Sequence, residues 1–503
     1  MSILVTLDKL TQAHWKLIRQ ELWIKPKPSY FKRQRFGYSD GNEAKPIVLY
    51  QKQETQGVVA LPFTYANCLL NKFLVTSVDY PKLEFQFTSK LWEKQVLVAE
   101  EAVAQLNSYH TTTLWLPCGF GKTVISAYLA ARIKRRILVT FKLVTLKKQW
   151  WETFKEFTDA RIWIVNEEPC PDTPPDVILC TVLQVCKVPL HWLDSVGTLI
   201  LDEVHELCTP VYSRSVISVS PCYIIACTAT PIRENGAHKV LYAICGTHYV
   251  YRAPDKQLTA YKVLTGIKFT MKANKNGDPD WAGLCREVAQ CEVRNRMIQK
   301  LVHMFWKRKI VILTIRVDHA IILEKLMKTT ESVESMTAND KSYKPCRVLT
   351  GTFAKIGTVF EEKTLCEYFD GMRIDTLIMA GSTKSKTWIM QALGRAFRSD
   401  RPMVLDLIDE NGTHDRHWKV KRAIYNKLKA KIVEVPIDDM EQYGNWPRPM
   451  PKPEYVILPI AGEPVFIIES SELENQGFAD DTDNRLSIAD VINRPPPVFI
   501  IEG

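Results

Sequence analysis

The first string of residues that could carry out chemistry lies at positions 117–123, after a short apolar run and before a helical stretch. Glycines within it allow backbone N–H groups to approach phosphates, at a helix N-terminus that favours anions. Lys122 can reach the β- and γ-phosphates of a nucleotide, and the Thr123 hydroxyl can bind Mg²⁺. Leu116 takes the place of the first glycine of the strict pattern. The predicted phosphate-binding loop consists of Pro117, Cys118, Gly119, Phe120, Gly121, Lys122 and Thr123.

The second string is Asp-Glu-Val-His at 202–205, directly after the apolar run 199–201. Carboxylates at the carboxyl end of a central parallel strand face the ligand crevice of such a sheet. We therefore expect Asp202 to hold Mg²⁺, mainly through water, and Glu203 to activate the attacking water as general base. A solvated turn is the alternative, but the apolar run before the pair disfavours it.

The third string, at 391–398, contains two arginines with the spacing of one helix face. Gln391, Arg395 and Arg398 are related by four and then three positions, so they share a face. Such arginines can stabilise the charge of a transferring phosphoryl group from across a domain cleft. An arginine face on an ordinary surface helix is the alternative. The three strings in this order predict an ATP-hydrolysing enzyme that uses Mg²⁺.

Composition limits the class of protein. The chain has 503 residues, of which 46% are hydrophobic, so it can bury substantial cores. No run approaches the length of a membrane span, and the start is too polar for a signal peptide. The 13 cysteines include no Cys-x-x-Cys pair, which favours reduced thiols. We expect an intracellular, reducing location, either the cytoplasm or the nucleus, and no membrane partner.

Charge is distributed unevenly along the chain. Residues 434–503 contain 14 acidic and 4 basic residues, a net charge of −10, whereas the whole chain carries +10 and residues 1–433 therefore +20. A basic body is suited to a polyanionic partner such as nucleic acid. A generally basic soluble protein is the alternative that charge alone leaves open.

Alternating apolar runs and helical stretches predict two α/β domains with buried parallel strands, at 89–256 and 257–433. Residues 1–88 form a smaller leading unit with strands near 47–50 and 58–61. Its basic residues Lys32, Arg33 and Arg35 alternate with aromatic ones, which is typical of nucleic-acid contact; a basic loop over a small β core is the alternative. Strands of the two domains are predicted at 114–116, 137–140, 177–180, 199–201, 223–227, 310–313, 376–379 and 403–407.

The segment 434–503 is predicted to be a largely disordered acidic tail, since it holds 10 of the 28 prolines and is negatively charged. It contains one string twice, Pro-Val-Phe-Ile-Ile-Glu at 464–469 and 497–502. Short β-forming strings beside acidic residues are suited to strand addition at a partner's sheet edge, and they resemble SUMO-interaction motifs. Self-docking of the acidic tail on the basic body is an open alternative.

The three strings resemble those of superfamily 2 helicases of the DExH type, and the resemblance covers residues 90–433. It implies two tandem RecA-like domains, ATP and Mg²⁺ as ligands, and movement along nucleic acid. It also implies an adenine-reading role for Gln95 and coupling of hydrolysis to movement by His205, Thr228 and Thr230. Nucleic-acid contacts are implied for two further residues, Lys142 and Thr181.

Within this superfamily the strings at 118–124 and 222–233 look very similar to those of viral helicases of the poxvirus transcript-release type and their asfarvirus relative. The leading unit resembles that of the phage UvsW helicase at 33–41 and 61–73, and XPB-type translocases are more distant kin. The resemblance implies 3′-to-5′ movement on DNA, in transcript release, recombination or repair. Residues 355–360 depart from the family's motif V, because the expected Thr-Gly pair is reversed.

Two other functions stay open at this point. An RNA-directed helicase is the first, because motor domains mostly contact phosphates and therefore do not exclude RNA. A non-catalytic scaffold that uses the fold only to bind nucleic acid is the second. DNA is the favoured partner on the basis of the resemblance.

Overall fold

The computed structural model describes residues 2–26, 46–70, 80–117, 119–142, 144–217, 219–231, 236–274, 276–337, 340–358, 360 and 362–445. Several predictions made above fall outside these residues. They concern Lys32, Arg33 and Arg35 of the leading unit, Cys118 of the phosphate-binding loop, and the repeated strings of the tail.

The leading unit pairs short strands in two small antiparallel sheets. One has the order β1-β5-β4 and the other pairs β2 with β3. Its buried side chains, such as Ile18 and Leu61, belong to the same apolar core as Leu138 and Ile178 of the first domain, so the unit packs directly on that domain. Its elements are β1 (Ser2–Thr6), α1 (Gln12–Glu21), β2 (Trp23–Ile24), β3 (Ile47–Val48), β4 (Gln51–Gln53), β5 (Val58–Pro62) and α2 (Phe63–Leu70).

The first domain is built on a seven-stranded parallel sheet of order β12-β6-β11-β10-β7-β9-β8. Successive residues of a strand face opposite sides, so Leu138 packs toward the leading unit and Val139 toward the helices of the other face. Its strands are β6 (Thr111–Trp115), β7 (Ile137–Phe141), β8 (Ile162–Ile164), β9 (Val177–Thr181), β10 (Thr198–Leu201), β11 (Tyr223–Thr228) and β12 (Val250–Tyr251). Its helices are α3 (Glu93–Tyr109), α4 (Lys122–Ile133), α5 (Thr145–Phe157), α6 (Leu190–Leu193), α7 (Pro210–Ile217) and α8 (Lys239–Cys245).

The second domain repeats this architecture with a parallel sheet of order β15-β16-β14-β17-β18-β13-β19. Its strands are β13 (Thr259–Lys268), β14 (Ile310–Thr314), β15 (Val333–Met336), β16 (Val348–Thr352), β17 (Thr376–Met379), β18 (Met403–Glu410) and β19 (Lys431–Pro436). Its helices are α9 (Trp281–Gln290), α10 (Glu292–Met304), α11 (Val317–Met327), α12 (Phe353–Thr358), α13 (Glu362–Leu365), α14 (Lys386–Ala396) and α15 (Gly412–Lys427). The predicted fold class, two tandem RecA-like parallel-sheet domains with a small N-terminal unit, is confirmed.

The end of the second domain differs from the sequence-based boundary. The predicted limit between residues 433 and 434 falls inside β19, which pairs with β13 along its whole length. A 3₁₀ helix, Ile437–Tyr443, then buries Ile437 and Met440 in the domain core. The folded chain therefore extends beyond the predicted limit. The sequence did not show this because the segment after 434 is acidic overall, which concealed these apolar side chains. Among the described helices, none combines the length and the apolar character needed to cross a membrane.

Candidate active site

The phosphate-binding loop joins β6 to α4 with two glycines in the left-handed region. Gly119 has φ +80° and Gly121 has φ +96°, and α4 begins at Lys122. The Lys122 ammonium donates to the carbonyl oxygens of Leu116 at 3.1 Å and Pro117 at 3.2 Å. The loop thus presents a lysine and a helix N-terminus at one point, the combination that binds phosphate.

Gln95 holds this loop against the start of α3. Its Oε1 accepts from the Trp92 backbone N–H at 3.1 Å, and its Nε2 donates to the Phe120 carbonyl at 3.0 Å. The side chain is buried. The structure therefore places the predicted adenine-reading residue beside the loop, where it fixes the loop conformation; recognition of adenine stays a prediction.

We expect Gly121→Ala to abolish nucleotide binding without unfolding the chain. A Cβ at this position would lie 2.3 Å from Gln95 Nε2, so the loop or the glutamine must move. Gly277→Ala is the matched control, since Gly277 has φ +80° and no atom within 4 Å of an added Cβ. Each variant carries a left-handed alanine that costs roughly 1–2 kcal/mol. Thermal unfolding should shift similarly in both, whereas titration with a fluorescent ATP analogue should fail only for Gly121→Ala. Equal binding by the two variants would contradict the role of the Gln95 contact.

The two predicted metal ligands, Thr123 and Asp202, line the same cleft, and each accepts a hydrogen bond from a residue of α5. Gln149 Nε2 donates to Thr123 Oγ1 at 3.1 Å, and Trp150 Nε1 donates to Asp202 Oδ2 at 2.8 Å. Burial, followed by the neighbouring Glu203, raises the pKa of Asp202 to about 6. The Thr123 hydroxyl and the Asp202 carboxylate are both buried, and both are hard oxygen ligands of the kind that Mg²⁺ binds. These residues therefore fit the metal.

Glu203 occupies a strained backbone position at the centre of the site. Its φ of +45° lies in the left-handed region, which costs a residue with a side chain about 1–3 kcal/mol and is often found at active sites. Burial raises the pKa of its carboxyl group, whereas the positive charges of Lys122 and Arg395 oppose that rise. A carboxylate with a raised pKa beside cations is suited to accept a proton from water.

The second domain contributes the opposite wall of this cleft. Gln391 and Arg395 lie on α14, whose first turn is capped by Ser385, and Arg398 follows the helix end. Arg398 packs so closely on the loop that a Cβ added at Gly119 would lie 3.3 Å from its Cγ. The cleft measures about 590 Å³. Its walls include Gly119, Lys122, Thr123, Asp202, Glu203, Gln391, Arg395 and Arg398, residues of all three strings.

Glu362 is a buried charge beside the cleft that sequence reasoning missed. Its Oε2 lies 4.0 Å from Arg398 Nη1 and 3.6 Å from Arg373 Nη1, and its Oε1 accepts from the Ile374 N–H at 2.9 Å. Burial raises the pKa of its carboxyl group, an effect that the arginines oppose. The residue follows the segment that departs from motif V, so no motif pointed to it. Its carboxylate therefore faces Arg398 from within the second domain.

The predicted coupling residues are brought together at the ends of β10 and β11. His205 Nδ1 lies 3.0 Å from Thr228 Oγ1, and the Thr230 N–H donates to the same hydroxyl oxygen at 3.0 Å. His205 Nδ1 is also 3.2 Å from Glu203 Oε2. The buried imidazole therefore lies between Glu203 and the segment after β11.

Lys142 and Thr181 lie at the carboxyl ends of neighbouring strands, since β7 pairs with β9 and Phe141 stands opposite Thr181. Lys142 forms an ion pair with Glu206, with Nζ 2.5 Å from Oε2. Thr181 stands at the start of the 3₁₀ helix Val182–Lys187, where its backbone N–H donates to Gln184 Oε1 at 2.9 Å. Both are thus engaged within the protein, and their contact with nucleic acid stays a prediction.

The chain is similar to several known proteins. Residues 88–233 match the family described as "Type III restriction enzyme, res subunit". The chain is 28% identical over 417 residues to 161L of Invertebrate iridescent virus 6, which is named as a helicase, covering 77% of this chain and 92% of that protein. It is 21% identical to L396 of Acanthamoeba polyphaga mimivirus, named as an ATP-dependent RNA helicase, covering 74% and 75% of the two chains. The crystal structure of T4 UvsW aligns over 85% of this chain and 96% of that chain, with 17% identity and a TM-score of 0.35.

Proposed function

We propose that this chain is a superfamily 2 helicase, an ATP-driven helicase or translocase that acts on DNA. One observation carries the proposal: a single cleft joins Lys122 and Glu203 of the first domain to Arg395 of the second. Hydrolysis in such a cleft depends on the relative position of the two domains. A cycle of binding and hydrolysis therefore becomes a cycle of closing and opening, which moves the domains along a strand.

The residues of the cleft divide the reaction among them. Lys122 and the loop N–H groups bind the β- and γ-phosphates, and Gln95 keeps the loop in its binding conformation. Thr123 and Asp202 would hold Mg²⁺, and the ion would supply positive charge to neutralise the phosphates. Glu203 accepts the proton of the attacking water, and Arg395 and Arg398 stabilise the charge that develops on the transferring group.

DNA is proposed as the polymer because the body of the chain is strongly basic and its sequence resembles DNA-directed relatives. The movement is proposed to run 3′ to 5′ and to serve transcript release, recombination or repair. L396 bears the name of an RNA helicase, so RNA is the alternative that the test must include.

The test is steady-state ATP hydrolysis without polymer and with single-stranded DNA, forked DNA or RNA of the same sequence. Lys122→Ala serves as the blank. We expect turnover that depends on Lys122 and rises many-fold with DNA, more than with RNA. Stronger activation by RNA would overturn the choice of DNA, and absence of activation by every polymer would overturn the proposed function.

The repeated string of the tail supports a separate role in binding a protein partner. Each copy combines a β-forming core with a neighbouring acidic residue, at 464–469 and 497–502. We propose that they add a strand to a partner's sheet edge, as SUMO-like partners would allow. A chain shortened to residue 449 provides an added arm of the assay above. If the shortened chain needs the same DNA concentration as the full chain for half-maximal activation, the result agrees with partner docking. If the shortened chain needs less DNA, the tail masks the DNA site in the full chain.

A further inference from the structure

The helix α15 and the short segment after it carry a concentrated positive charge. Residues 416–431 include seven basic residues and no acidic one. Lys421 is buried and pairs with Asp406, so its charge is compensated inside the domain. The other six basic residues are exposed, namely Arg416, Lys419, Arg422, Lys427, Lys429 and Lys431.

The exposed cations of α15 share one face of the helix. At 3.6 residues per turn, Arg416, Lys419, Arg422 and Lys427 fall within an arc of about 140°, and the first and last of them are about 17 Å apart along the axis. The opposite side buries Trp418 in the domain core. The four cations therefore form a stripe along the outside of the second domain.

A solvated basic helix is the ordinary alternative for such a stripe. Other exposed cations of this domain have an acidic neighbour one turn away, as Lys328 has Glu324 at 3.7 Å. Within the part of the chain that the structure describes, Lys419 and Arg422 form no ion pair. The helix dipole favours a cation in the last turn but opposes Arg416 near the start. The stripe thus keeps like charges together, which favours a polyanion as its partner.

The stripe reaches the first domain at a cluster of aromatic rings. Lys427 Nζ lies 5.3 Å from the ring centroid of Trp115, the last residue of β6. Tyr249 and Tyr251 pack against the same indole, with ring centroids 5.1 and 4.9 Å from it, yet they remain 49% and 40% exposed. Cations beside open aromatic rings are typical of surfaces that hold the phosphates and bases of a single strand.

This surface is separate from the strand ends at Lys142 and Thr181, where the sequence predicts nucleic-acid contact. The strands β11 and β10 lie between β6 and β7. Trp115 and Lys142 are therefore separated by three strand spacings, about 14 Å. A strand of nucleic acid at Lys142 leaves the stripe available for a second strand.

We propose that the exposed face of α15, together with Tyr249 and Tyr251 of the first domain, binds the second strand of forked DNA. The phosphates of this strand contact the cations, and its unpaired bases stack on the tyrosine rings. Because α15 belongs to the second domain and the tyrosines to the first, a strand bound to both links the domains outside the ATP cleft. The inference rests on the proposed function, since it takes DNA as the polymer.

The test is the binding of a labelled DNA fork with two unpaired arms, measured by fluorescence anisotropy without ATP at several salt concentrations. Lys419→Gln combined with Arg422→Gln removes two exposed cations. We expect the Kd for the fork to rise roughly tenfold and the slope of log Kd against log salt to fall by about 1.4, because each phosphate contact of a single strand contributes about 0.7.

A second variant, Tyr251→Leu, removes a stacking surface while it keeps an apolar side chain against Trp115. It should weaken fork binding about fivefold without changing the salt slope, because no charge is lost. Thermal unfolding of both variants should match that of the wild type, since the altered side chains are exposed.

The control is Lys325→Gln combined with Lys328→Gln, which removes two exposed cations at the end of α11, on the opposite face of the same sheet. This control should bind the fork as the wild type does. A single strand of about 8 nucleotides has no second arm, so it should activate ATP hydrolysis equally in all variants.

Two results would overturn the inference. If the variant at 419 and 422 binds the fork with the wild-type Kd and salt slope, the stripe is only solvated. If the control loses as much affinity as that variant, net charge rather than this face binds the fork. A wild-type chain that binds the fork but hydrolyses ATP no faster with any polymer would instead defeat the proposed function, and the comparison of fork affinities would still decide the inference.

Discussion

Glu203→Gln is expected to bind ATP and Mg²⁺ as well as the wild type and to hydrolyse ATP about 10²–10⁴-fold more slowly, the usual loss on removing a general base. The amide has the shape of the carboxylate but accepts no proton from water. Binding of ATP and Mg²⁺ should not weaken. The charge of Glu203 contributes to the raised pKa of Asp202, so removing that charge favours the ionised form of Asp202, which binds the metal. Single-turnover hydrolysis and equilibrium ATP binding measure the two effects separately.

The control for this variant is Glu156→Gln, a surface carboxylate of α5 outside the cleft. Equal rates for Glu203→Gln and the control would contradict the assigned base.

The pH dependence of ATP hydrolysis by the wild type gives an independent check. Because the pKa of Asp202 is raised to about 6 and that of Glu203 is also raised, both remain protonated at a pH where ordinary carboxyl groups are ionised. Wild-type activity should therefore fall as the pH drops through about 6.

The first two strings of the candidate site could be recognised in the sequence because each depends mainly on local backbone. Gly121 and Lys122 form the loop by their own conformations, and Asp202 and Glu203 take their place from the strand that precedes them. Apolar runs likewise identified the strands that carry these residues, such as β7 and β10, since a buried parallel strand needs little else to be recognised.

The supporting contacts were not predictable, because they join residues that are distant in sequence. Trp150 and Asp202 are 52 positions apart, and Gln149 and Thr123 are 26 apart, so no local pattern connects them. No sequence pattern marks Glu362, because a buried carboxylate can be identified only from the arginines that lie near it in three dimensions.

Arg395→Ala is expected to reduce hydrolysis by roughly 10³–10⁵-fold, the loss attributed to arginines that stabilise phosphoryl-transfer charge. Arg395 is 7% exposed and lies on α14 of the second domain, yet its charge lowers the pKa of Glu203 in the first. Removal of Arg395 should therefore also change the pKa of Glu203, which removal of an arginine elsewhere would not do. Without the arginine, the pKa of Glu203 rises further, so the acid limb of the residual activity should move to higher pH.

Arg395→Lys separates the two roles of this side chain. A lysine restores the positive charge near Glu203 and should return the acid limb toward its wild-type position. It lacks the planar fork that binds phosphate oxygens in pairs, so most of the rate should remain lost. Arg286→Ala, on the exposed surface of α9, controls for the loss of an arginine from the second domain. Full recovery of the rate in Arg395→Lys would mean that charge alone is required, and the assignment of Arg395 to the transferring phosphoryl group would then be wrong.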